Sequence, residues 1–347
     1  MNPLAHRLVP ALAALALVVA GCANSSASTT PSASSAASAA ASSGTAGSAL
    51  TVGLGYIPSV QFAQFYYAQQ RGLYKAAGLD VTLQNEIDSD LIVKVGQGSI
   101  AIGIGDGTSI IPAVSQGIPV VYTATMYGTF PDIVIAKAGA GITKPADLKG
   151  KKIGIPGKYG SSWIMLQALL KSASLTTDDV QIVTFPKFTQ AAALQQGQVD
   201  AATGFTNNEP IQLKNAGFET VSLTVDSIVP LPGPGLVTGT ATLKSKTDAL
   251  KAFTKATLQA MTDIAADPQK GLDATFALVP ELATDKPLQA QILAATIATW
   301  KNARTPAAPY GAIDTAGWQQ SIDFMAGLGL VPNVVQASGL TDASLLP

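Results

Sequence analysis

Residues 152–170 read KIGIPGKYGSSWIMLQALL, and this stretch decides the fold. Lys152 to Ile155 forms a short strand with Ile153 and Ile155 on one face. Ser161 or Ser162 stands where a helix cap is expected, and Trp163, Leu166 and Leu170 recur at helical spacing. The unit opens a succession: strand Val180 to Phe185, helix Ala191 to Gln196, strand Ala201 to Phe205, helix Pro210 to Ala216, strand Thr220 to Thr224. An equivalent succession precedes it. Thr51 to Tyr56 is followed by a helix from Gln61 to Ala77, then Val81 to Leu83, a helix over 91–96, Ile100 to Gly105, a helix over 109–116, and Val120 to Thr125. Alternating strands and helices predict largely parallel sheets covered on both faces, an α/β fold. Two such units between Leu50 and Pro347 suit two lobes better than one core. The stretch from Pro230 to Gly235 reads as a connection back to the first unit. From Lys246 onward the pattern is mainly helical, with Phe253, Leu258 and Met261 on the core side.

The amino terminus carries a different message. His6 and Arg7 precede an apolar run from Leu8 to Ala20, and Val19, Ala20 and Gly21 lead directly into Cys22, the one cysteine of the chain. This arrangement resembles a bacterial lipoprotein processing site. The run is shorter than the ~20 residues a membrane-spanning helix needs. The resemblance implies removal of residues 1–21 and acylation of Cys22, which would anchor the protein stably, since each buried methylene contributes about 0.8 kcal/mol. Residues 23–49 are almost entirely Ser, Ala, Thr and Gly, with no large side chain to bury, and read as a disordered tether with an end-to-end distance on the order of 30 Å.

Loss of the leader would also remove His6, the only histidine. Ser-His-Asp and Cys-His catalysis, and zinc sites of His and Cys, are then excluded in their usual forms. Ser-Lys chemistry or a carboxylate pair stays open, but no spacing singles one out, and no cofactor or metal is expected. Without Arg7 the 21 Lys plus Arg fall to 20, against 22 Asp plus Glu, a formal charge of −2. No basic field is present to hold nucleic acid. Arg71 and Arg304 are the remaining arginines, so little bidentate recognition of phosphate or carboxylate is on offer.

A family resemblance rests on Gly55, Tyr56, Ile57 and Pro58 to Phe62, on Gly72, Leu73, Tyr74, Gly78 and Leu79, on Gly105 and Asp106, on Ile153, Gly154 and Gly157, and on the run Gly197 to Ala201. Together these resemble the type II solute-binding proteins of ABC importers, in the group that includes nitrate, sulfonate and taurine binders and the thiamine-pyrimidine and riboflavin binders. The resemblance implies a two-lobed type II periplasmic-binding-protein fold with two crossing strands, a hinge and an interlobe ligand cleft. Lobe 1 would comprise residues 50–139 plus 236–347, and lobe 2 residues 140–235. It further implies a monomeric, lipid-anchored extracytoplasmic protein that delivers a small molecule to a permease and, through it, to an ATPase, without altering it. Delivery to a sensor instead stays open. The family also resembles fungal enzymes that make the thiamine pyrimidine from pyridoxal phosphate and one of their own histidines, a residue the mature chain would lack.

Ligands in open α/β sheets bind beyond the carboxyl ends of the strands, which selects the same loops as the resemblance does. In the first unit these loops carry Tyr56, Gln61 and Phe62, then Asp106 and Thr108, then Tyr127. In the second they carry Tyr159, Ser161 and Trp163, then Asn207, Asn208 and Glu209. Aromatic faces with amide and hydroxyl edges suit a flat, largely uncharged heterocycle, and Asp106 and Glu209 are acceptors for ring or exocyclic N–H groups. Nitrate, taurine or an alkanesulfonate would meet two negative charges. Against that, Thr108 and Ser161 stand at helix starts, where backbone N–H groups hold anions, and Lys158 and Lys187 are near in sequence. Each residue also has a purely structural reading: core packing for Trp163, lobe surface for Tyr56, a helix cap for Asp106, and a first-turn carboxylate for Glu209.

Overall fold

The computed structural model describes residues 47–85, 90–225, 228 and 231–347. The leader, the acylation site expected at Cys22 and nearly all of the expected tether lie outside them. The tether ends earlier than expected, because β1 (Ser48–Gly53) already pairs with β2 (Leu79–Gln84) from Ser48 opposite Leu79.

Ten strands form two five-stranded sheets among the described residues. The first has the order β2-β1-β3-β10-β4, with β3 at Ile102–Gly105, β4 at Val120–Thr125 and β10 at Gly235–Gly239. The second has the order β7-β6-β8-β5-β9, with β5 at Asp132–Lys137, β6 at Lys152–Ile155, β7 at Gln181–Thr184, β8 at Ala201–Phe205 and β9 at Thr220–Thr224. The two orders match position by position. In each sheet the fourth strand runs antiparallel to both neighbours, and in each it is the strand that the chain enters on coming from the other sheet.

β5 carries an apolar run, Ile133 to Ala136, buried on both faces, as a central strand covered by helices requires. The expected division at residue 139 assigns this segment to the first lobe, whereas its hydrogen bonds put it between β8 and β9 of the second sheet.

Helices α1 (Ala63–Gln70), α2 (Leu73–Ala76), α3 (Leu91–Gly96) and α4 (Gly107–Ser115) belong to the first succession. The single helix expected over 61–77 is broken in two because Gly72 adopts a left-handed conformation, φ 69°, that glycine takes at no steric cost. α3 lies directly on β3: a Cβ at Gly103 would come within 2.7 Å of Val95 Cγ2.

The second succession carries α5 (Gly160–Ser172), α6 (Gln190–Gln195) and α7 (Glu209–Asn215). α5 buries Leu166 and Leu170. Neither Ser161 nor Ser162 caps it, because the helix already starts at Gly160, with Tyr159 in the capping position.

The remainder is helical: α8 (Thr240–Ser245), α9 (Thr247–Ala266), α10 (Pro268–Leu278), α11 (Lys286–Thr299), α12 (Thr315–Gly327) and α13 (Ala337–Leu340). Phe253, Leu258 and Met261 of α9 are buried in the core of the first sheet, where Phe253 stacks on Tyr74 with ring centres 4.8 Å apart. Trp318 of α12 packs edge-on against Tyr122 of β4. No helix of the described residues is long and apolar enough to cross a membrane.

The chain passes between the sheets through residues 126–131 and back before β10, and the two passages lie against each other. The backbone N–H groups of Met126 and Tyr127 both donate to Pro234 O, and Tyr122 donates its hydroxyl to Gly233 O.

Candidate functional site

The carboxyl ends of β1, β3, β6 and β8 converge on a cavity of about 650 Å³ lined by residues of both successions, within the ~300–1,000 Å³ typical of small-molecule sites. From the first come Tyr56, Gln61, Phe62, Asp106, Thr108 and Tyr127. From the second come Tyr159, Ser161, Trp163, Asn208 and Glu209. Tyr56 and Phe188, one from each succession, meet edge-to-face in its wall, ring centres 4.9 Å apart. Phe188 has φ 57°, a conformation that costs a bulky residue about 1–3 kcal/mol and recurs at ligand clamps. Lys158 is the one cation among the described lining residues, and its Nζ sits 5.8 Å from the Trp163 ring centre. Lys187 does not line the cavity, and Arg304 is ion-paired with Asp314 elsewhere.

Asn207 departs from its expected place. It does not line the cavity; its two Nδ2 protons go to Thr296 Oγ1 (2.8 Å) and Gln61 Oε1 (3.1 Å), with Tyr127 OH at a longer 3.4 Å. All four residues are buried. The amide therefore ties the β8–α7 junction to the first crossing segment and to α11, and the opening of α7 at Glu209 leaves Asn208 and Glu209 to face the cavity.

Three carboxylates surround the site, and each draws donors away from it. Asp106 caps α4, accepting the Ser109 N–H (3.0 Å), the Thr108 hydroxyl (2.5 Å) and the Ser109 hydroxyl (3.2 Å). Glu209 accepts the Phe205 N–H at 2.7 Å. Asp132, the first residue of β5, accepts the Ser162 hydroxyl at 2.8 Å. Burial pushes all three acids above their ordinary values, Asp132 furthest, with Asp106 and then Glu209 adding to it through their charge. Burial, followed by the charge of Glu209, likewise raises the Tyr56 phenol. Among the described residues no group of three His, Cys, Asp or Glu side chains is placed to hold a metal ion.

These acids set a pH dependence. Each binds its proton more tightly folded than unfolded, so the folded state holds more protons between the ordinary values, 3.8 for Asp and 4.5 for Glu, and the raised ones. Stability therefore rises as pH falls through that window and gains nothing further below it. Asp147 and Asp179, lowered by the Thr143 and Thr176 N–H groups, lose their contribution only at more acid pH. Urea unfolding is expected to show stability rising as pH is lowered toward the ordinary carboxylate range, less steeply in Asp132→Asn; a fall over that approach would contradict this.

Sequence reading missed Asp132 and two lining amides, Gln64 and Gln190. Gln190 donates Nε2 to Thr203 O and leaves Oε1 without a partner among the described residues, as does Gln64 with its own Oε1. A charged residue directly before the apolar run Ile133 to Ala136 was the available signal for Asp132. Nothing local marks the two glutamines, since both lie within helices.

Residues 59–271 match the model of the NMT1/THI5-like family. The chain is 31% identical to the riboflavin-binding protein RibY of Chloroflexus aurantiacus, over 81% of each chain. It is 25% identical to a 4-amino-5-hydroxymethyl-2-methylpyrimidine phosphate synthase of Saccharomyces cerevisiae, over 68% of this chain and 73% of that one. Among solved structures, the alkanesulfonate-binding protein SsuA of Xanthomonas axonopodis pv. citri bound to MOPS superposes with a TM-score of 0.67 at 16% identity, covering 85% of this chain and 98% of that one. The paired five-stranded sheets thus have the periplasmic-binding-protein architecture, and by the family match and the relationship to RibY this chain belongs to the NMT1/THI5-like family.

Proposed function

We propose that this protein is the extracytoplasmic, lipid-anchored ligand-binding component of an ABC importer. In this reading it captures a small, largely uncharged aromatic heterocycle of the riboflavin or thiamine-pyrimidine type and passes it, chemically unaltered, to a membrane permease. The observation that carries the proposal is the composition of the cavity wall: aromatic faces from both successions, buried acceptors on Asp106, Glu209, Gln64 and Gln190, and a single lysine. Such a wall satisfies ring N–H groups and rewards stacking, whereas a sulfonate or nitrate would sit among buried carboxylates. The relationship to RibY points to the same ligand class. The synthase relatives support a catalytic alternative less well, since residues 47–347 contain no histidine.

The lobes would be the two sheets with their helices, and the hinge the paired crossing segments around Tyr127 and Pro234. Ligand touching both lobes would shift the population toward the closed arrangement. A calorimetric titration with riboflavin and with MOPS tests this reading. Binding of the first and not the second is expected.

A further inference from the structure

We propose that Asp132 is a specificity-determining residue of the cleft: from beneath the start of α5 it accepts the hydroxyl hydrogen bond of a serine that lines the cavity, so that this helix end presents an acceptor and turns anionic ligands away. The inference rests on the cleft being the ligand site, and it names the chemistry that the site admits, neutral donors of N–H or O–H, and the chemistry it refuses, sulfonate, sulfate, phosphate and carboxylate.

The amino-terminal end of a helix as long as Gly160–Ser172 carries partial positive charge and free N–H groups, an arrangement that receives anions. Ser161 and Ser162 line the cavity at this end. A hydroxyl has one proton and two lone pairs. Ser162 donates its hydroxyl hydrogen bond to Asp132 Oδ1 at 2.8 Å. What remains on Ser162 to meet a ligand is lone pairs. Behind them stands a carboxylate that is 1% exposed.

Asp132 has no evident structural return for that burial. Asp106 caps α4 with a backbone N–H bond and Glu209 holds the Phe205 N–H. Among the described residues the Asp132 side chain accepts from the Ser162 hydroxyl, no ion pair involves it, and its Oδ2 is buried without a partner. A buried acid held so sparsely is costly to the fold. The cost is understandable if the residue selects the ligand, because a like charge met at close range suppresses binding of the wrong partner. Its place follows from pairing: Asp132 lies opposite Phe205 in the antiparallel register of β5 and β8, at the end of the sheet that faces the cleft.

The test is calorimetric titration, at alkaline pH so that the burial-raised Asp132 carboxyl is ionised, of wild type, Asp132→Ala, Asp132→Asn and Ser162→Ala with MOPS, inorganic sulfate and riboflavin, after circular dichroism and a cooperative melt have shown each variant folded. Asp132→Ala, which frees the serine and removes the charge, is expected to bind MOPS saturably, at least about tenfold more tightly than the upper limit that wild type sets, while losing riboflavin affinity. Asp132→Asn, which removes the charge but still accepts from the serine, should show a smaller gain. Ser162→Ala should show none. A folded Asp132→Ala whose MOPS affinity is within about twofold of wild type overturns the proposal, as does a gain in Ser162→Ala equal to that in Asp132→Ala. Should Asp132→Ala not fold, Asp132→Asn decides, and no gain in anion affinity there overturns it equally. If riboflavin binds none of the proteins, the assignment of the native ligand fails, yet the MOPS comparison still reads the role of Asp132.

Discussion

Gly128→Ala is expected to unfold at markedly lower urea than wild type, with a loss on the order of 3 kcal/mol. Gly128 lies in the first crossing segment, and its N–H donates to Thr299 O at 2.8 Å. A Cβ there would come within 2.3 Å of Asn302 N and 2.5 Å of Lys301 C. Both are backbone atoms, so no rotamer change relieves the contact, and the segment after α11 must move away from the crossing segment. Overpacking of this kind costs about 1–3 kcal/mol where side chains can shift and more where they cannot. Because the segment is the proposed hinge, solution scattering should also report a larger radius of gyration for the variant. An unchanged unfolding midpoint would show that the two segments are not in contact.

Asn207→Ala should lose about 2–3 kcal/mol and weaken riboflavin binding, although the residue lies outside the cavity. The two amide protons serve Thr296 Oγ1 and Gln61 Oε1, with Tyr127 OH at 3.4 Å sharing one of them. Removing it strands buried acceptors, at about 1–3 kcal/mol for each one left unmade. Thr296 suffers least, since its hydroxyl also donates to Ile292 O. Gln61 keeps its Nε2 bond to Ser59 but loses the partner that aims its oxygen. The expected pattern is a lower melting temperature with reduced ligand affinity. Wild-type stability with abolished binding would instead return Asn207 to the ligand-contacting role expected from sequence.

The alternation of strands and helices was legible because each strand is a short apolar run and each helix repeats with the helical period. Val120–Thr125, Ala201–Phe205 and Thr220–Thr224 have the bounds that their residue patterns predict. β5 was not legible in the same way. It stands outside the alternation, entering the second sheet antiparallel before the second succession begins, and only its pairing with β8 and β9 reveals where it belongs. The start of α5 was misplaced for a local reason: Gly160 takes φ 66° and opens the helix ahead of the serines.

At the site, the strand-end rule found the loops because they follow from topology alone. Which side chain of a loop turns inward does not. In the triplet Asn207, Asn208 and Glu209 all three are polar and equally suited to a ligand, and the geometry of the α7 start sends the first into the seam beside α11 and the other two to the cavity. Asp132 and Gln190 reach the site only through packing between strands and helices remote in sequence, a relation that no local pattern encodes.

The central claim is that the cleft holds a neutral, donor-bearing ring. Isothermal titration of the purified protein with riboflavin and, separately, with MOPS tests it most directly. Saturable one-to-one binding of riboflavin with a negative heat-capacity change, as burial of apolar surface requires, is expected, and no saturable heat from MOPS. Saturable binding of MOPS with none of riboflavin would contradict it.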